Sequence, residues 1–112
     1  MIDGVIAGEA EGPLAPLDVP LGVVLAATDP VALDLVAVRL MGFDERRLPK
    51  IWESMRDEGL RITAVRDPAD VEVFEIDASD FSMKRRALSE IAAKRAFVAH
   101  PGWRGFIERG AG

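Results

Sequence analysis

Thr28-Asp29-Pro30-Val31-Ala32-Leu33-Asp34-Leu35-Val36-Ala37-Val38-Arg39-Leu40-Met41-Gly42 carries both ends of a helix in its own residues. Asp29 is an N-cap whose carboxylate accepts from free backbone N–H groups. Pro30 loses nothing at the first helical position, because the N–H it lacks has no partner there. Gly42 supplies the left-handed residue that commonly closes a helix, so the pattern predicts a helix over Val31–Met41. Apolar residues run nearly all the way round it, interrupted only by Asp34 and Arg39. A helix this apolar needs cover on more than one side, so it is expected to be central or to lie at an interface. Asp34 is then a buried carboxylate that needs a partner, and Arg39, five residues on, does not face it.

Moving toward the N-terminus, Leu21 to Ala27 is a short apolar run bounded by Pro20 and Thr28-Asp29-Pro30, read as a strand buried on both faces. Gly22 within it marks a close approach of another backbone. From Gly8 to Pro20, three prolines and two glycines in thirteen residues read as a long loop, a place where function often sits. Met1 to Ala7 reads as a first short strand, with Asp3 as a carboxylate to be buried or paired.

On the C-terminal side, Phe43 to Leu48 is a connector and Pro49 opens a second helix, Pro49–Glu58, stopped by Gly59. Ile62, Ala64 and Val65 suggest a short strand, Asp67-Pro68-Ala69-Asp70 a turn, and Val71 to Ile76 an alternating edge strand. Leu88, Ile91 and Ala92 form the stripe of a third helix over Met83–Phe97, although Lys84, Arg85 and Arg86 in its first turn oppose the helix dipole. Those basic residues are expected to pair with Asp77 and Asp80. Trp103, Phe106 and Ile107 dock the tail, and Gly110 to Gly112 are expected to fray. The expected fold is a single α/β (α+β) domain over residues 1–112, a small mixed sheet of three or four strands packed by three helices.

The composition fits an ordinary globular domain of 112 residues, 49% hydrophobic and 29% charged. No apolar run approaches the roughly 20 residues of a membrane span, and no charged segment precedes an apolar one at the start, so a cytoplasmic protein is expected. With no cysteine, disulfides, thiolate metal sites and a self-held iron–sulfur cluster are excluded. Residues 1–60 hold 11 acids and 5 bases, whereas residues 61–112 hold 8 acids and 9 bases. A net charge of −5 gives no general attraction to nucleic acid or anionic membrane. The basic cluster Lys84-Arg85-Arg86 lacks the aromatic platforms of a nucleic-acid site and reads as a solvated face.

Taken in order, five pieces resemble the C-terminal part of the domain-of-unknown-function family 362. They are Ile2-Asp3-Gly4-Val5-Ile6, Glu9 with Gly12-Pro13, Pro20-Leu21-Gly22-Val23-Val24-Leu25-Ala26, Thr28 to Asp34, and Arg39-Leu40-Met41-Gly42-Phe43-Asp44. The resemblance covers residues 1–60 and is weaker from Glu58-Gly59-Leu60 to Ile76. It implies a portion of a longer family domain, in a redox context shared with ferredoxin-type cluster proteins. The family loop reads Gly-x-Glu-Gly-Asn-Gly-Pro. Here Ala7 and Ala10 stand at glycine positions and Glu11 at the asparagine, which changes the loop's backbone freedom and charge.

Glu9, Glu11 and Asp29 form the candidate ligand site. Carboxylates converging from the loop and the helix start suit Mg²⁺ or Ca²⁺, or an acid/base pair. The bland reading makes Asp29 a cap and the two glutamates solvated loop charges. No cofactor is evident, and no serine has a base near it in a recognisable motif. His100 is a lone histidine before Pro101 and makes a poor metal site. The expected function is a non-catalytic or incomplete α/β module acting through self-association or a partner protein. The alternative is a carboxylate-lined divalent-cation or small-ligand site with acid/base activity.

Overall fold

The computed structural model describes residues 1–56, 59 and 62–110. The chain opens with four short strands: β1 (Ile2–Gly4), β2 (Ala7–Glu11), β3 (Ala15–Val19) and β4 (Val23–Leu25). Two α-helices follow, α1 (Pro30–Leu40) and α2 (Pro49–Ser54), then β5 (Glu72–Ile76) and β6 (Met83–Ala87). Single 3₁₀ turns lie at Glu45–Arg47, Pro68–Asp70 and Leu88–Glu90.

The expected mixed sheet of three or four strands packed by three helices does not form. The six strands make three separate two-stranded antiparallel sheets, β1–β4, β2–β3 and β5–β6, and only two α-helices occur among the described residues. Two misreadings account for this. The segment from Gly8 to Pro20 is a hairpin and not a loop. Residues 83–97 hold a strand, a 3₁₀ turn and irregular chain, and no α-helix.

The hairpin tolerates its prolines for a local reason. Pro16 stands opposite Ala10 and has no N–H to give, while the Ala10 N–H turns away and donates to the Val98 carbonyl at 2.8 Å. Gly12, Pro13 and Leu14 make the tip. β1–β4 and β2–β3 are successive ladders of one long hairpin. It is broken where Val5 and Ile6 face the three residues Pro20, Leu21 and Gly22, with Gly22 at φ +71° and its N–H bonded to the Val5 carbonyl. Only partly buried, β4 is not the strand covered on both faces that its apolar run suggested, and Val24 is 60% exposed.

Met83 to Ala87 becomes a strand because its charges find partners across the hairpin. Arg85 stands near Glu72 and forms an ion pair with it, and Arg86 reaches Glu75 at 2.6 Å. Asp77 and Asp80, the expected partners, instead bond within the turn to Ser79 and Ser82. As a helix start, the three cations would have faced the positive end of the dipole. Beyond Leu88, residues 94–97 run along the end of α1. The Lys94 and Phe97 N–H groups donate to the Leu40 and Met41 carbonyls, which lie beyond the reach of the helix's own ladder. The expected strand at Ile62–Val65 is irregular chain. The turn at residues 67–70 is present as a 3₁₀ turn with a capping box between Asp67 and Asp70. Helix α2 closes at Ser54 with Met55 as its C-cap, short of the expected end at Glu58, and of the residues expected to fray, 111 and 112 lie outside the described residues.

Helix α1 begins and ends as its sequence indicates. Asp29 caps it, with Val31 and Ala32 N–H groups donating at 3.0 and 3.2 Å, and Gly42 adopts φ +79°. One stripe, Val31–Leu35–Val38, is buried, and it joins two cores. Val38 packs with Val19, Phe43, Phe97, Ala99 and Ile107. Val31 and Leu35 pack with Met55, Val65, Val71 and Leu88. The C-terminal segment is fastened to the connector after α1. The Asp44 N–H donates to Ile107 at 2.7 Å, the Arg109 N–H donates to Gly42 at 2.9 Å, and Phe43 bridges to Glu108.

Candidate functional site

Asp29 does more than cap. Thr63 Oγ1 lies 2.7 and 2.8 Å from its two oxygens, and the Ala64 N–H donates to it at 3.0 Å. Burial pushes this carboxyl up, but the donors Thr63, Ala32, Ala64 and Val31 together outweigh that and hold it below the ordinary carboxylate range. Its lone pairs are occupied by protein donors.

Glu9 is likewise engaged. Its side chain is 7% exposed, Arg95 Nη2 donates to it at 2.8 Å, and the Val98 N–H donates at 2.9 Å. Ala10, at φ 67°, breaks the strand alternation between Glu9 and Glu11, so Glu9 turns inward while Glu11 is exposed. Glu9 holds the 95–98 segment and Asp29 holds the 63–64 segment, so these two candidate carboxylates serve different parts of the fold, and Glu11 is exposed. Among the described residues no group of three or more His, Asp or Glu side chains is placed to hold a metal ion.

The two carboxylates expected to be buried, Asp3 and Asp34, are both exposed. Asp3 stands opposite Val24 and accepts from the Val5 N–H at 3.1 Å. Asp34 lies off the single buried stripe of α1, which is narrower than the all-round apolar pattern suggested. The buried acids are Asp44 and Glu45, which the sequence reading passed over as connector residues. Asp44 takes Arg46 Nε and Nη2 at 3.1 and 2.9 Å, and that pairing holds its carboxyl below the ordinary range. Glu45 accepts from Arg39 at 3.3 Å and also from Arg109. The one available signal was the run Asp44-Glu45-Arg46-Arg47, in which acids and bases are adjacent. Nothing local shows that Arg109 would return to it. His100 has a local role, accepting the Gly102 N–H on Nδ1 at 3.2 Å.

An apolar concave feature lies elsewhere. A groove of about 900 Å³ opens between β4 and β5. Its walls are Val23, Val24 and Leu25 from β4, Val36 and Leu40 from α1, and Val73, Phe74 and Ile76 from β5. Val36 and Leu40, both partly buried, line the groove from α1, and Val36 also packs against the second core. Glu75, Asp77, Arg86, Glu90 and Lys94 also line the groove, and Arg86 is paired with Glu75. Val24, Phe74 and Ile76 are 60%, 51% and 61% exposed, and Met83, opposite Ile76 on the sheet, is 63% exposed.

No helix among the described residues is long and apolar enough to cross a membrane. No family model matches the chain, and no curated protein or solved structure matches it. The likeness to family 362 therefore rests on the motifs of residues 1–76 alone.

Proposed function

We propose that this chain is a non-catalytic association module whose working surface is the groove between β4 and β5. The observation that carries the reading is the exposed apolar lining of that groove. Val36 and Leu40 form the floor of an apolar groove whose walls, at Val24, Phe74 and Ile76, are more than half exposed. Contiguous apolar surface of this kind marks a contact site in soluble proteins. The carboxylates that chemistry would need, Glu9 and Asp29, are occupied in holding the chain together.

The test is light scattering on size-separated protein over a wide concentration range, together with titration of an apolar dye such as anilinonaphthalene sulfonate. Wild type is expected to exceed the 12.2 kDa of one chain as concentration rises and to bind the dye when dilute. Val24→Glu, at an exposed position, is expected to keep the fold and lose both properties. A well-folded wild type that stays at the mass of one chain and binds no dye overturns the reading.

A further inference from the structure

We infer that the occupant of the groove is a second copy of this chain, joined to the first edge to edge through β5 in antiparallel register about Phe74. This rests on the association reading above. Among the described residues β5 has a single strand neighbour, β6. The bond from the Asp77 N–H to the Ser82 carbonyl fixes the alternation along the hairpin. By that alternation residues 73, 75 and 77 exchange bonds with β6, and the N–H and C=O groups of 72, 74 and 76 point to the free edge. A two-fold axis at Phe74 sets those same residues opposite one another. Glu72 meets Ile76 of the second copy, Phe74 meets its own counterpart, and all three positions exchange backbone bonds.

The charges fit this register. It places no like charges directly opposite, since Glu72 faces Ile76 and Val73 faces Glu75. Both glutamates already have arginine partners on β6, Arg85 and Arg86, so the net charge of −5 on each copy is not concentrated at the seam. Edge strands that must stay single are usually blunted by charge, proline or a bulge; Glu72-Val73-Phe74-Glu75-Ile76 has no proline and no bulge, and the charges of its two glutamates are met by Arg85 and Arg86. Two-stranded hairpins are marginal alone, and pairing two of them gives a four-stranded sheet. Val5, Val24, Phe74 and Ile76, which line the groove together, are each more than half exposed and supply apolar surface for the contact. The contact is the same patch on both copies and closes on itself.

The absence of cysteine makes single-cysteine variants clean probes. Residues paired across antiparallel strands have Cα atoms about 5.5 Å apart, within the span of a disulfide. Under mild oxidation Phe74→Cys is expected to give a covalent dimer. Glu72→Cys and Ile76→Cys are expected to cross-link when mixed and not separately. Leu14→Cys, at the exposed hairpin tip, is expected to remain a single chain. Sedimentation of the unmodified protein is expected to show the mass doubling from 12.2 kDa. A dimer that cross-links with no preference for residue 74 or for the 72–76 mixture overturns the inference. So does a monomer at all concentrations, and if that monomer still binds the apolar dye, the groove serves a different protein and the association reading stands.

Discussion

Thr63 shares its hydroxyl between both oxygens of the Asp29 carboxylate, at 2.7 and 2.8 Å, across 34 residues of sequence. The tie joins the start of α1 to the segment that leads into the second core. It turns an ordinary helix cap into a tertiary fastening. Thr63 is itself buried, and its oxygen also accepts the Val65 N–H.

Thr63→Val keeps the shape and removes the donor to a carboxylate. It is expected to lower stability by about 2 kcal/mol in urea unfolding, while Thr63→Ser keeps most of it. If Thr63→Val proves as stable as wild type, the hydroxyl contributes nothing.

Acid sensitivity follows from Asp29 and Asp44, both held below the ordinary value of 3.8 in the folded chain. A depressed carboxyl stabilises the fold fully above its unfolded value, and that contribution is lost as pH falls through the folded value. Urea midpoints should therefore be level with respect to these two groups from about pH 7 to about pH 5 and fall below about pH 4. Asp29→Asn should be less stable at neutral pH and show a shallower fall. An equally steep fall in that variant would remove Asp29 as a cause.

Glu45 is buried between Arg39 and Arg109. Glu45→Ala leaves two guanidinium groups without their acid and frees one fastening of the C-terminal segment. The expected cost is about 3 kcal/mol, measured by chemical unfolding. In a double-mutant cycle with Arg109→Ala the two losses should be less than additive, because both remove the same contact.

Backbone conformation gives a stabilising change. Ala10 adopts φ 67°, a region that glycine occupies without steric cost. Ala10→Gly is expected to raise stability by about 0.5 kcal/mol, since relief of the left-handed strain exceeds the entropy glycine adds to the unfolded chain. The opposite change at Gly42, to Ala, is expected to destabilise by about 1 kcal/mol or more. Its φ is +79°, and the new Cβ would stand 3.3 Å from Ala96 Cα. Thermal unfolding of both variants checks the two signs.

What the sequence determined by itself is what neighbouring residues decide among themselves. Asp29-Pro30 starts α1 and Gly42 ends it because capping involves groups within one turn. The strand at Glu72–Ile76 and the turn at Pro68–Asp70 were legible for the same reason. Tertiary structure alone decided the rest. Pro16 sits in a strand because the Ala10 N–H finds Val98, and Met83–Ala87 is a strand because Arg85 and Arg86 meet glutamates on β5. Glu9, Asp29 and Glu45 are engaged by Arg95, Thr63 and Arg109, partners 86, 34 and 64 residues distant. A carboxylate's choice between solvent, ion and protein donor depends on which distant segment folding brings beside it, and no local pattern encodes that.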